Sequence, residues 1–163
     1  MAGSQTSRPT LGLVLIRVAI GVVLLMHGWS AVHGGGVDGD AVRDVVHGTL
    51  SGAPEPIAWW GQNVLLSNPE GVAFLWRWAA LVCGLGLALG ALTRPAGLLA
   101  GFFALNAFLF VEGPERLTVG LVAVCCLACA LSRAGRRLGL DTMFDQHFSP
   151  WITWTRRRET VFP

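Results

Sequence analysis

Four long apolar stretches divide this chain, and each is nearly free of charge. Leu11–Val32 holds Arg17 and Val72–Leu92 holds Arg77, while Ala96–Val111 and Leu117–Leu131 hold no charged residue. A helix needs roughly 17–25 mostly apolar residues to cross a bilayer. Inside the hydrocarbon, only helices and closed barrels satisfy every backbone N–H and C=O, and the period-2 alternation of a barrel strand is absent. The expected fold is therefore all-α: an antiparallel four-transmembrane-helix bundle, with helices at about 11–32, 72–92, 95–111 and 117–132, in a single membrane domain over residues 1–163. The last two runs are the shortest. They reach a full span only by drawing Thr93–Pro95 and Ser132 into the interface, and a re-entrant hairpin is the alternative there. The first run is too long for a signal-peptide core, contains an arginine and lacks a small-x-small cleavage site, so it reads as an uncleaved helix.

With 53% hydrophobic and 13% charged residues, four spans leave little chain for a soluble catalytic domain. No glycine-rich phosphate loop and no basic-aromatic nucleic-acid pattern is present, so lipids are expected partners and nucleic acid is not. The basic residues give the orientation. The chain has no lysine, and Arg8, Arg94, Arg133, Arg136, Arg137, Arg156, Arg157 and Arg158 fall on one side of a four-span arrangement, against Arg43 and Arg116 on the other. Counting positive charges inside places both termini in the cytoplasm of a bacterial inner membrane. The outer side is acidic, with Asp38, Asp40, Asp44, Glu55, Glu70, Glu112 and Glu115, and Trp29, Trp76 and Trp78 are expected near its interface.

Residues 33–71 form a long extracytoplasmic loop that opens on Gly34, Gly35 and Gly36. Val42–Leu50 suits a short helix, and Pro56–Leu66 carries Ile57, Trp60 and Val64 at the spacing of an interfacial helix. The links 92–95 and 112–116 are short enough to force antiparallel neighbours. Residues 133–163 form a cytoplasmic tail in which Phe144, Phe148, Trp151 and Trp154 alternate with polar residues before Arg156–Arg158, the composition of a segment lying on the inner leaflet. Gly21, Gly28, Gly84, Gly86, Gly90, Gly97 and Gly101 recur at packing intervals, where small residues let helices approach closely in lipid.

Four stretches in order resemble the DoxX family, including the DoxD-like small subunits of thiosulfate:quinone oxidoreductases. They are Leu15-Ile16-Arg17-Val18-Ala19-Ile20-Gly21, then His27-Gly28-Trp29, then Gly84 with Leu89-Gly90-Ala91-Leu92-Thr93-Arg94, and finally Arg136-Arg137-Leu138-Gly139-Leu140-Asp141. Many members carry a lysine soon after the His-Gly motif and a glutamate early in helix two; Ala31 and Ala80 stand in those places here. The resemblance implies an integral membrane subunit that anchors or assists a quinone-linked oxidoreductase complex. Such a subunit is not catalytic alone, holds no cofactor of its own and offers a quinone contact surface. The competing reading is a non-catalytic accessory subunit of a larger respiratory or photosynthetic complex. A transporter is disfavoured by the scarcity of acids within the spans and the lack of broken helices.

Arg17, His27 and Arg77 are the candidate quinone or anion contacts. An arginine within a span costs at least ~2.5–3.5 kcal/mol on insertion scales, so Arg17 either snorkels to inner headgroups or anchors an anionic group or quinone carbonyl. Arg77 and Glu112 share the outer end of the bundle, where an ion pair would clasp helices two and three. Asn106 is expected to hydrogen-bond another helix. Arg94 and Asp141 are expected to pair and pin the tail to the helix-two/three turn. His27, without a second histidine in the spans, argues against a bis-histidine haem. Cys126 and Cys129 form a C-x-x-C on one helix face, but thiols in apolar surroundings stay protonated and poorly nucleophilic, so packing is the expected role. No metal site is expected.

Overall fold

A computed structural model describes residues 9–34 and 37–131. Residues 1–8, Gly35, Gly36 and the tail from 132 onward, Asp141 included, therefore lie outside the described residues. The described chain is helical: α1 (Pro9–His33), α2 (Gly39–Leu50), α3 (Glu55–Trp60) running into a π-helical turn (Gly61–Leu65), α4 (Pro69–Leu89), α5 (Thr93–Phe110) and α6 (Glu115–Leu131). Three of these, Gly12–His33, Pro69–Leu89 and Thr93–Phe110, are long and apolar enough to cross a membrane.

Each long helix begins before the apolar run that announced it, and at α4 and the shorter α2 a capping side chain sets the start. α4 starts at Pro69 instead of Val72: the side-chain oxygen of Asn68 accepts from the Gly71 N–H at 3.0 Å, and Pro69 sits where no N–H is needed. α2 starts at Gly39 instead of Val42, since the Asp38 carboxylate accepts from Ala41 N–H at 2.8 Å. α4 stops at Leu89, short of Leu92. Gly90 takes a left-handed conformation (φ 67°) that ends the helix, and Leu92 is left-handed as well (φ 52°). The segment expected as one helix over 56–66 changes pitch at Gly61, where Leu66 N–H reaches back five residues to the Gly61 carbonyl at 2.9 Å.

The long helices form two antiparallel pairs. In the first, α1 lies along α4: a Cβ added to Gly21 would sit 2.5 Å from the Ala88 nitrogen, and one on Gly84 2.7 Å from the Leu25 nitrogen. In the second, α5 lies along α6: a Cβ on Gly97 would sit 2.8 Å from the Cys126 carbonyl oxygen. The pairs then pack side by side, α4 on α5 and α1 on α6. The glycines expected to build the packing thus bring backbones into contact within pairs.

The distribution of side chains is inverted relative to a protein in water. Buried positions are filled by Ala31, Ala73, Ala100, Ala123, Cys83, Cys126 and Cys129, whereas Met26 (68% exposed), Val82 (63%) and Leu121 (64%) point outward. Large aliphatic residues all round and small residues inside are what a lipid environment selects.

α2, α3 and the π-helical turn cover the end where α1 leaves and α4 enters, referred to below as the capped end; the opposite end holds the α4–α5 turn. Val46 of α2 is buried. Thr49 Oγ1 donates to the Phe110 carbonyl at 2.6 Å, and Trp60 Nε1–H donates to Asn106 Oδ1 at 2.9 Å. Asn106 therefore ties α5 to the cap, and the bond expected of it to another helix runs to α3.

Candidate functional site

The two pairs meet differently at their two ends. Toward the turn end, Cys83 and Leu87 of α4, Ala100 of α5 and Cys126 and Cys129 of α6 form a dry cluster, with Ile20, Leu24, Ala96 and Val122 packed against it. Toward the capped end the pairs separate around a cavity of about 400 Å³. Its walls come from all four long helices: Val23, Leu24 and His27 of α1, Trp76, Ala79 and Ala80 of α4, Ala100, Phe103 and Ala104 of α5, and Glu115, Thr118, Val119 and Val122 of α6.

The local sequence explains the void. Ala79, Ala80, Ala100 and Ala104 place short side chains on α4 and α5 where these helices face each other. Trp76 and Phe103 stand between the same two helices, ring centroids 6.1 Å apart and edge to face at 69°, and act as a spacer. Phe103 meets Phe102 at 5.7 Å in the same geometry. The residues with polar side-chain atoms in its lining are His27, Glu115, Thr118 and Trp76. A mostly apolar chamber with a few convergent polar groups, at the lower end of the roughly 300–1,000 Å³ typical of ligand pockets, can hold a flat ring and hydrogen-bond its substituents.

The residues singled out from sequence fall in different places. His27 lines the cavity. Arg17 does not: it lies ten residues, about 15 Å, further toward the turn end of α1, is 1% exposed, and is therefore covered by protein instead of extending to headgroups. Its guanidinium rests on the α4–α5 turn, where a Cβ on Gly90 would lie 2.7–2.8 Å from its Nη1, Nη2 and Cζ atoms. Gly90 thus serves twice, by its left-handed backbone and by leaving room for the arginine. Arg77 is half-buried on α4 outside the cavity wall. The proposed clasp between Arg77 and Glu112 is corrected: Glu112 is exposed beyond the end of α5, and among the described residues the ion pair present between these outer charges is Arg43 with Asp40, within α2. Arg94 is half-buried in the first turn of α5; its expected partner Asp141 lies outside the described residues.

Cys83, Cys126 and Cys129 are buried free thiols in the dry cluster, and Cys125 is half-buried. Among the described residues no group of three or more His, Cys, Asp or Glu is placed to hold a metal ion. Trp29 (62% exposed) and Trp78 (48%) face outward, as interfacial tryptophans would, and Trp29 stacks on His33 at 4.0 Å. Trp76 differs from them in belonging to the cavity. Glu115 and Thr118 were missed as cavity residues. Their only sequence signal is position: Glu115, Thr118, Val119 and Val122 share one face at helical spacing.

Inside-out side-chain packing on long apolar helices, with a half-open apolar cavity between two helix pairs, is that of a multi-pass membrane protein. The DoxX family model matches residues 12–113, and the chain belongs to the DoxX family. The match covers α1 to α5 and ends just before α6, so Glu115 and Thr118 lie beyond it. No curated protein and no solved structure matches the chain.

Proposed function

We propose that this DoxX-family protein is a four-span subunit of a bacterial inner membrane that anchors or assists a quinone-linked oxidoreductase. Its capped end faces outward and both termini face the cytoplasm, following the arginine distribution. α6, with 17 residues, completes the fourth span, and its pairing along the full face of α5 supports that reading. The observation that carries the quinone assignment is the chamber at the capped end. Its alanine and aromatic walls suit a ring with a short length of isoprenoid tail, and in this reading His27 and Thr118 of its lining hydrogen-bond the ring oxygens. Of the three contacts named from sequence, this reading keeps His27. Arg17 takes a positioning role at the turn end, through its contact with the Gly90 turn.

The test is photolabelling of the detergent-solubilised full chain with a short-tailed azidoquinone, followed by peptide mapping. Labelled peptides from 23–27, 76–80 and 115–122, competed by unlabelled quinone, are the expected result. Labelling confined to the lipid-facing surface, or none that competes, would sink the quinone reading and leave an accessory structural subunit, provided a redox complex still co-purifies in stoichiometric amount.

A further inference from the structure

We infer that the cavity is loaded laterally from the bilayer, through a window between α1 and α6, and that the chain of a prenylated ring stays in this window while the ring is bound. This inference rests on the quinone reading above and adds the route of entry and the part of the ligand left outside. Three observations carry it.

First, the wall is exposed on one side. Its exposed residues are Val23 (51%) and His27 on α1, and Glu115 and Thr118 on α6. The part of the wall made by α4 and α5 is covered: Ala80, Ala100 and Ala104 are buried, and Trp76, Ala79 and Phe103 half-buried. The opening therefore lies where α1 faces α6. The cap sits on the opposite side. Its Thr49 and Trp60 side chains donate to Phe110 and Asn106 of α5, and Gly39 of α2 abuts the Glu70 carboxylate at the start of α4.

Second, the window lies within the length of the spans. His27 is six residues, about 9 Å, from the end of α1 at His33, and Val23 is one turn deeper. Glu115, the first residue of α6, marks the upper edge. Leu24 and Val122 close the lower edge: both line the cavity and both pack against the thiol-bearing cluster. Toward the turn end, the exposed stripe below Val23 continues through Ala19 and Ile16, and the one below Thr118 through Leu121. The surface outside the window is thus apolar and turned to lipid.

Third, the cavity is small. Its volume of about 400 Å³ lies at the lower end for ligand pockets and takes a ring with the beginning of a tail. A chain of several isoprenoid units does not fit as well. Left in the window and along the stripes outside, such a chain stays in hydrocarbon and exposes no apolar surface to water. The ligand class is therefore a ring on a chain long enough to reach the bilayer interior.

The test uses the full chain in lipid nanodiscs and two photoreactive quinones with the same ring and a decyl chain. One carries a diazirine at the chain carbon next to the ring, the other at the chain end, and labelled residues are mapped by mass spectrometry. The near-ring probe should label the wall, residues 76–80 included. The chain-end probe should leave 76–80 unlabelled and mark 16–23 of α1 and 118–121 of α6, in competition with unlabelled quinone. Competed chain-end label on α4, α5 or the cap, or its absence from α1 and α6 because another chain covers the window, overturns the inference and leaves the quinone reading standing. Near-ring label that quinone does not compete sinks the quinone reading and this inference with it. A second arm narrows the window with Val23→Trp, with Val82→Trp on the lipid face of α4 as its control. With affinity taken against mole fraction in the bilayer, Val23→Trp should weaken the decyl quinone about tenfold more than the tailless ring, the weight of roughly two buried methylenes, and Val82→Trp should weaken neither. Equal weakening of both ligands by Val23→Trp, or none, overturns the inference.

Discussion

The seams within the helix pairs and the gap between the pairs use small residues to opposite effect. At Gly21, Gly84 and Gly97 a missing side chain lets two backbones touch, and the helices of a pair close on each other. At Ala79, Ala80, Ala100 and Ala104 a short side chain faces another short side chain across the gap between pairs, with Trp76 and Phe103 wedged alongside, and a chamber opens. Composition alone does not distinguish the two. What differs is whether the small residue faces its own pair's backbone or the neighbouring pair, and whether an aromatic residue stands near enough to hold the space.

That contrast can be broken most forcefully within a pair. Gly21→Val or Gly97→Val places atoms where the facing backbone already lies, so each should cost ~3 kcal/mol or more, at or beyond the usual range for overpacking. Loss of the monodisperse peak in detergent size-exclusion chromatography, or a melting temperature lowered by many degrees, checks this. Tolerance of valine at either site would mean the pairs are not in backbone contact. Filling the chamber is the sharper experiment. Ala80→Leu or Ala104→Leu should weaken quinone binding at least tenfold yet change stability by less than about 1 kcal/mol, because the added atoms enter existing space. A strongly destabilising outcome would show that the space is not there to fill.

Smaller effects probe the floor and the cap. Replacing both Cys126 and Cys129 with alanine should lower stability by about 1–2 kcal/mol through lost packing and leave quinone binding and partner-linked electron flow intact. A variant that assembles normally but loses quinone reduction would replace the anchor reading with a thiol mechanism. At the cap, Trp60→Phe and Asn106→Leu should couple in a double-mutant cycle by about 1 kcal/mol, read from thermal melts. Strict additivity would remove the bond as the link between α3 and α5.

How much of this was legible in the sequence differs along the chain. The apolar runs located the long helices, and the short links between them set neighbours antiparallel. Their first turns were hidden, since Pro69 and Glu115 are helix-breaking or polar by type; at α4 the Asn68 side chain caps the turn that Pro69 begins. His27 was legible as a polar group within a span. The chamber was not: a void is a relation between residues far apart in sequence, and Ala80, Ala104 and Trp76 carry no mark of it individually. Glu115 read as one of several surface acids until α6 was seen to bring its first turn beside α1. Arg17 was visible as a costly residue, but only the fold shows that Gly90 receives it.

That last contact also sets an order of events during synthesis. Arg17 is made early and enters the membrane with α1, while Gly90 follows 73 residues later. At ~5–20 residues per second the interval is roughly 4–15 s. Until then the contact with Gly90 cannot form, and α1 enters the membrane before its guanidinium has the α4–α5 turn to rest on. Nascent chains stalled before Gly90 should therefore keep Arg17-flanking positions crosslinkable to the insertion machinery, and chains stalled well past α5 should not. The contact between this arginine and this glycine thus dates the final packing of α1: it cannot precede synthesis of the α4–α5 turn.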